Sequence, residues 1–408
     1  MRGMTTQLTL GERIAWYRQR RGLTQEVIAG RVGRTVDWLS KIENGRMDLD
    51  RLSVLSALAE ALDVSLADLI DEPRLMEWTE GSGQQTVPAL RSVLMDYRHV
   101  TGMNIGTERD HEPMSLDSLK YALDDLWDGY QRAKFGYVVS RLVDFIPEAR
   151  YSVSTQSGDA RRTASGRLAL AYQLAATVLT KLGEADLAWN ASNRGIEAAH
   201  QSENPVVIGS LMRSVAHSLL STGSYAEAVN LTNHAAEFLE PHLVKPGATL
   251  LSVYGTGLLA GSMAAARNDD RSTAREFLDV AERTATRLGR DANYLWTAFG
   301  PTNVGMHRVS TAMELGDVQQ ALNLGPALDT SGATTERRVR HALEVARALS
   351  TANRREEALA EVLGAEQLAP EQVRYHFLSR HLVQTWVRTQ KGKPSHQLKG
   401  LADRLRVT

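Results

Sequence analysis

Residues 23–44, LTQEVIAGRVGRTVDWLSKIEN, followed by Gly45, constrain the chain more tightly than any other stretch. They predict two short helices joined by a tight turn. Thr24 carries the hydroxyl of an N-cap, which accepts an orphan backbone N–H of the first turn. Val27, Ile28 and Val32 recur near helical spacing, and Ala29 leaves room for a neighbouring helix. Gly33 ends the first helix, since a left-handed backbone costs glycine little. Thr35 opens the second helix as another N-cap, Leu39 and Ile42 point inward, and Gly45 closes it. Helix, glycine turn and helix make a helix-turn-helix, whose second helix enters the major groove of DNA.

The net charge of −1 argues by itself against a nucleic-acid partner. Its distribution points the other way. Residues 1–46 hold nine Lys/Arg against four Asp/Glu, while residues 47–72 hold one Arg against seven acids. Positive charge is concentrated where the groove-facing helices lie, as a phosphate-binding surface requires. Ordinary solvated helix faces explain the count but not the segregation.

Residues 10–70 resemble the lambda/434-repressor type of DNA-binding domain, the XRE family. Leu23-Thr24-Gln25, Ala29, Gly33, Thr35 and Ser40-Lys41-Ile42-Glu43-Asn44-Gly45 match its pattern, and the arm Asp50–Leu62 with the turn Leu66–Ile70 completes its five helices. The resemblance implies that Gln25, Asn44 and nearby Arg34 contact the sugar-phosphate backbone. Thr35, Val36, Asp37, Ser40 and Lys41 would then lie on the recognition helix, where base edges are read. Lys41 suits guanine and Val36 a thymine methyl. Asp37 departs from the family's neutral or basic residue. It either accepts from a cytosine amino group or simply favours the helix dipole. Trp38 is also unusual there, and either packs against a partner element or lies on the DNA backbone.

A chain of 408 residues exceeds one compact core, so two or more units are expected. Absence of cysteine fits a reducing cytoplasm and excludes disulfides and thiolate metal sites. The N-terminus lacks a charged-then-apolar signal pattern. The most apolar stretch, 248–266, is broken by Ser, Thr, Tyr and Gly, and reads as a buried helix rather than a membrane span.

Beyond residue 72 the composition changes. Residues 79–86 (TEGSGQQT) and 102–114 read as loops, which places a linker and connecting helix over 73–115. From Leu116 to the end, helix and turn alternate with little strand signal. Turns begin at Leu182-Gly183, Gly223-Ser224, Asp269-Asp270, Leu315-Gly316 and Asn353-Arg354, each followed by an alanine three to five residues on. Their spacing of 37 to 47 residues means a solenoid of helical hairpins. A weaker unit precedes them, with helices over 116–133 and 135–151, for five to six hairpins. The pattern resembles a loose form of the tetratricopeptide repeat (TPR). The fold expected is therefore all-α: a five-helix head over 1–72 and a TPR-like α-solenoid over 116–408.

A repressor-type head on such a superhelix resembles the peptide-responsive quorum-sensing regulators of Gram-positive bacteria. It resembles more closely the actinobacterial XRE regulators with degenerate TPR-type C-terminal regions. The string Trp296-Thr297-Ala298-Phe299-Gly300-Pro301-Thr302-Asn303-Val304-Gly305-Met306-His307-Arg308-Val309, followed by Glu314-Leu315-Gly316-Asp317, carries the second resemblance. Both imply a transcription factor whose DNA affinity is set by something held in the superhelix, for which a peptide or small-molecule effector is the leading expectation. A homodimer on a palindromic operator is expected from recognition geometry, and the cytoplasm from the lack of cysteine. The alternative is that the solenoid holds a partner protein.

The first helix of each hairpin lines the concave wall of such an array, so polar pairs there are binding candidates. Asn303 and His307, Arg213 and His217, Arg337 and His341, and His376 and Arg380 each share a helical face at i and i+4. Tyr254, Trp296 and Phe299 are aromatic neighbours, as ligand shelf or as core; Tyr254 and Trp296 join the candidates. An Asn amide clamps an extended backbone, and Arg takes a carboxylate in two parallel bonds. Pro301, placed at N1, leaves free N–H groups toward an anionic neighbour.

Enzyme signatures are missing. His111-Glu112 runs into Pro113 with no HExxH, Gly255, Gly257 and Gly261 miss the dinucleotide spacing, and no phosphate-loop or Gly-x-Ser-x-Gly motif occurs. The histidines show no metal spacing, so neither cofactor nor metal is expected. One head reads only a few base pairs, which calls for a dimer. Its surface is sought at 370–408, where Leu378, Leu382, Val383 and Trp386 either dimerise or cap the array, or at the joint of head and solenoid.

Overall fold

The computed structural model describes residues 8–49, 51–64, 66, 69, 87–96, 111–390 and 392–407, and those residues are all-α apart from one isolated bridge. The head contains α1 (Leu10–Arg20), α2 (Gln25–Arg31), α3 (Val36–Glu43) and α4 (Leu52–Ala61). Ile14, Ile28, Leu39, Leu55, Leu58, Leu62 and Leu69 fill its core. Of the closing turn expected over 66–70, Leu66 and Leu69 are described, and both are buried. The loop 79–86 and most of 102–114 lie outside the described residues.

Thr24 and Thr35 cap α2 and α3, accepting from the amides of Val27 and Trp38. Gly33 and Gly45 both take φ of +63°. Around Gly33 the N–H of Arg34 reaches the Ala29 carbonyl at 2.8 Å, and around Gly45 that of Arg46 reaches Lys41 at 2.7 Å. Those six-to-one bonds satisfy carbonyls that the helix ends would orphan. Val27 differs from expectation: it is 40% exposed, because Ile28 and Ala29 take the inward arc of a seven-residue helix. Gly11 matters equally, although no local pattern marks it. A Cβ there would lie 2.1 Å from the Ile42 carbonyl oxygen, so only glycine lets α1 meet the end of α3.

After α5 (Val87–Leu94) come six hairpins. They pair α6 (Leu116–Gln131) with α7 (Phe135–Thr155), α8 (Gly158–Lys181) with α9 (Ala185–Gln201), and α10 (Pro205–Thr222) with α11 (Tyr225–Leu239). Next are α12 (Ala248–Arg267) with α13 (Arg271–Leu288), α14 (Pro301–Glu314) with α15 (Val318–Leu324), and α16 (Thr335–Thr351) with α17 (Arg355–Leu368). The end is closed by α18 (Pro370–Tyr375), α19 (Phe377–Thr389) and α20 (His396–Leu405).

The recurring turns share one backbone device. Gly183, Gly223, Asp269, Gly316 and Asn353 all adopt positive φ, the region glycine enters freely and Asn and Asp tolerate best. The alanines that follow, Ala188, Ala228, Ala274, Ala321 and Ala358, are each fully buried, so paired helices pack closely on them. The apolar helix α12 is long and apolar enough to cross a membrane, yet 78% of that stretch is buried inside the array. Its glycines serve packing: a Cβ at Gly255 would lie 2.0 Å from the Phe299 ring, and one at Gly261 would meet Thr232 at 2.4 Å.

Leu378, Leu382, Val383 and Trp386 belong to the solenoid's own core, and the Trp386 indole N–H donates to Ser350 Oγ at 2.8 Å. They cap the array and are not available as a dimer surface. The joint of head and solenoid is likewise occupied within the chain. Arg51 pairs with Asp269 at 2.6 Å, Arg388 with Asp48 at 2.8 Å, and Phe377 packs on the head's core.

Candidate functional site

Two features concern function: the exposed face of α3 and a cavity where the head meets the solenoid. Val36, Asp37, Lys41 and Asn44 are exposed on or just after α3, as are Arg34 and Thr35 at its start, with Ser40 half-buried. The face is held from behind. Arg18 Nε and Nη2 donate to the Glu43 carboxylate at 2.6 and 2.8 Å, and Gln25 Nε2 donates to the same group at 2.8 Å. Gln25 is therefore oriented by a buried acid rather than left to rotate. Asn44 Nδ2 donates to the Ser40 carbonyl at 2.7 Å. Trp38 packs on the head's core, with the Arg34 guanidinium 5.9 Å above its ring.

Asp37 makes a contact that neither expectation named. Its carboxylate lies 2.6 Å from Lys41 Nζ, an i to i+4 pair on the outer surface. Lys41 thus meets its own counter-ion on the face where a base would be read. Both groups are well exposed, so the pair is weak and open to exchange.

The cavity measures about 230 Å³. Its wall comes from the first helices of the hairpins, α6, α8, α10, α12, α14 and α16, which face the concave side as expected, and from α18 and α19. Its remaining wall is the head itself, through Leu52 and Leu66. Five of the ten ligand candidates meet here: Arg213, His217, His307, Arg337 and His376.

The other five do not. Tyr254 packs among Leu239, Val253 and Leu258 on a different wall. Trp296 stacks on Trp127 with ring centres 5.0 Å apart. His341 donates through Nε2 to the Gly325 carbonyl at 3.0 Å. Arg380 donates to the Leu405 carbonyl at 3.0 Å. Asn303 lines a separate cavity of about 170 Å³, reached also by Arg337. The anionic neighbour expected at the start of α14 is the chain's own Asp291, which accepts from the Thr302 amide at 3.0 Å and its hydroxyl at 2.7 Å.

Charge dominates the main cavity. Among the described residues, Lys181, Arg213, Arg267, Arg337, Arg340 and Arg347 supply six cations against the carboxylates of Glu314, Glu336 and Glu344. Burial brings Lys181 down to about 8, with Glu336 at 2.6 Å opposing the shift. Burial alone would raise Glu336, but Lys181, Arg337 and Arg340 outweigh it and hold the carboxyl below its ordinary range. Arg213 falls to about 10 through burial and then Arg337. His307 and His376 fall to about 3 and His217 drops well below its ordinary value, all chiefly through burial and then through neighbouring cations. The rings are neutral at neutral pH. His307 Nδ1 lies 3.0 Å from the Asn303 carbonyl and so carries the proton, which leaves Nε2 as an acceptor.

Sequence reasoning missed Lys181, Arg340 and the head's two leucines. A signal existed for part of this. Arg337, Arg340, Glu344 and Arg347 fall on one face of α16 at helical spacing, a charged stripe on the concave helix of its hairpin. Nothing local marks Leu52 or Leu66 as cavity residues.

A helix-turn-helix domain family matches residues 9–72. No curated protein matches the chain. Among solved structures, the chain is similar to a Rap protein complexed with competence and sporulation factor, at 14% identity and a TM-score of 0.48, covering 90% of this chain and 100% of that one. It is also similar to Bacillus thuringiensis PlcR in complex with the peptide PapR7 and DNA, at 11% identity and a TM-score of 0.36, covering 88% and 98%.

Proposed function

We propose that this protein is a sequence-specific DNA-binding transcriptional regulator, acting as a homodimer on a palindromic operator, whose affinity is set by an effector in the solenoid cavity. In this proposal the head spans 1–72, a connecting segment 73–115 and an effector-binding solenoid 116–408. One observation carries the reading: Leu52 and Leu66 of the helix-turn-helix domain form part of the wall that Arg213, His217 and Arg337 form from the solenoid. A bound molecule there touches the head directly, and no long relay is required. It shifts the head's position by its difference in affinity for the docked and released states.

Cavity size favours a small effector over an extended peptide. About 230 Å³ is below the roughly 300–1,000 Å³ of drug-sized pockets. A partner protein would have to displace the head, since Arg51, Ser56 and Asp48 already join it to the solenoid. The dimer is inferred from recognition geometry alone: one α3 reads only a few base pairs, and two heads a helical turn apart read an inverted repeat.

The test is selection of genomic fragments with the purified full chain at two salt concentrations. It is followed by binding assays on the recovered site with the cavity narrowed by His217→Trp. Recovery of an inverted repeat, with altered affinity in the variant, supports the reading. Sequence-blind recovery would overturn the regulator, and unchanged affinity in a folded variant would overturn the gating.

A further inference from the structure

Arg213 and Arg340 stand apart from the other cations of the cavity. Lys181 meets Glu336 at 2.6 Å, Arg267 meets Glu314 at 3.6 Å, Arg337 meets Glu336 at 3.7 Å, and Arg347 meets Glu314 and Glu344 at 3.3 and 3.5 Å. Among the described residues no carboxylate forms an ion pair with Arg213 or Arg340. The nearby charges of Glu336 and Glu344 still act on Arg340, whereas none acts on Arg213, whose Nε is buried without a hydrogen-bond partner. A guanidinium taken out of water without a counter-ion is costly, and Arg213 also has Arg337 as a like-charged neighbour. A chain stabilised only by packing would gain from losing such a group. Its arrangement makes sense as one half of a charge pair whose other half comes from outside.

Resting on the cavity as effector site, we propose that the effector is a small organic anion whose carboxylate or phosphate group is held by Arg213 and Arg340 in the excess positive field of the cavity. The three histidines are neutral and add no charge, so the attraction comes from Arg and Lys. Guanidinium groups match the planar geometry of carboxylate and phosphate oxygens and bind them in paired bonds. The volume, on the order of eight water molecules, accommodates a metabolite-sized anion. Leu52 and Leu66 add apolar surface to the wall, which reduces the screening of the pair by water.

The full chain is titrated with inorganic phosphate and, separately, with malonate, at ionic strength matched by sodium chloride, reading thermal midpoint and calorimetric heat. The wild type is expected to give a saturable rise in midpoint with at least one of the two. Arg213→Met and Arg340→Met should each weaken that binding by about tenfold or more. Arg213→Met should also raise the midpoint of the anion-free protein, an effect opposite in sign to loss of a structural contact. A response to phosphate alone or to malonate alone identifies the group. No saturable response to either anion, or a response the variants leave intact, would overturn the proposal. Operator binding is scored separately. Anion capture without a change in operator affinity retains this site and removes the gating, whereas gating by an uncharged compound does the reverse.

Discussion

Tyr225 of the solenoid and Ser56 of the head share a hydroxyl–hydroxyl hydrogen bond of 2.7 Å, across 169 residues of sequence. The Tyr225 hydroxyl also lies 3.1 Å from the Leu52 carbonyl, which has no proton to give. Tyr225 therefore donates to Leu52, and Ser56 donates to Tyr225. That chain of bonds fixes the start of α4 beside the cavity wall that Leu52 helps to form.

Tyr225→Phe removes both bonds while keeping the ring. Docking of the head should weaken by about 1 kcal/mol. Faster amide hydrogen exchange in α4, with the solenoid helices unchanged, is the expected result. Identical exchange in both proteins would mean that the ion pairs of Arg51 and Asp48 hold the head unaided.

Glu43 organises the reading face from inside. Its carboxylate serves both Arg18 and Gln25, and Arg18 is only 12% exposed. Glu43→Ala leaves that mostly buried guanidinium without a counter-ion, with the Leu23 carbonyl still accepting from Nη1, at a cost of roughly 3 kcal/mol. Urea denaturation followed by helicity should show the loss. Glu43→Gln, which keeps an acceptor, should lose less. Equal stability of all three proteins would contradict an organising role for this carboxylate.

Asp37 and Lys41 give a sharper test of base reading. Asp37→Asn frees Lys41 and removes a negative charge from the face proposed to meet phosphates. Operator affinity should rise, and the slope of log affinity against log salt should steepen by about 1. Lys41→Ala should lose roughly 1–3 kcal/mol if Lys41 reads a base. Weaker binding by Asp37→Asn, confined to sites with a particular cytosine, would instead assign Asp37 to base reading.

Stability should fall in mild acid. His217, His307 and His376 are depressed in the folded state, so below about pH 6.5 the unfolded chain binds protons that the folded chain refuses. Glu371 works the other way: burial raises it to about 7, although the Gly136 amide opposes the shift, and the folded chain takes up a proton the unfolded chain has lost. His341 is depressed as well, and burial also raises Glu344 and Glu361, so four rings stand against three carboxyls, and the unfolded chain takes up the net excess as pH falls from 6.5 to about 5. Stability should drop with a slope of roughly 1.4 kcal/mol per net proton per pH unit. Denaturant midpoints that do not move between pH 6.5 and 5.5 would show that these rings are hydrated.

Local chemistry made much of this chain legible. Thr24, Thr35, Gly33 and Gly45 act within a few residues of themselves, so their capping and left-handed turns are written in sequence. The same holds for Gly183, Gly223 and Gly316 in the repeat turns. Two other turns are less legible for a physical reason. Ala133 and Glu203 also take positive φ, but neither residue type favours it, so no local preference announces them. They are held there by the helices on either side.

The all-α fold, the helix-turn-helix and the period of the solenoid were determined by sequence alone, because each rests on residues that interact over one or two helical turns. Which polar pairs share a site was decided only in three dimensions. Arg213, His217, His307, Arg337 and His376 converge because the superhelix brings α10, α14, α16 and α18 to one concave wall, while His341 turns to the Gly325 carbonyl at the end of α15, in the preceding hairpin. The head's place in that wall was wholly invisible in sequence. Leu52 and Leu66 are ordinary core leucines in a small domain, and what makes them part of the cavity is the docking of surfaces more than 100 residues apart along the chain.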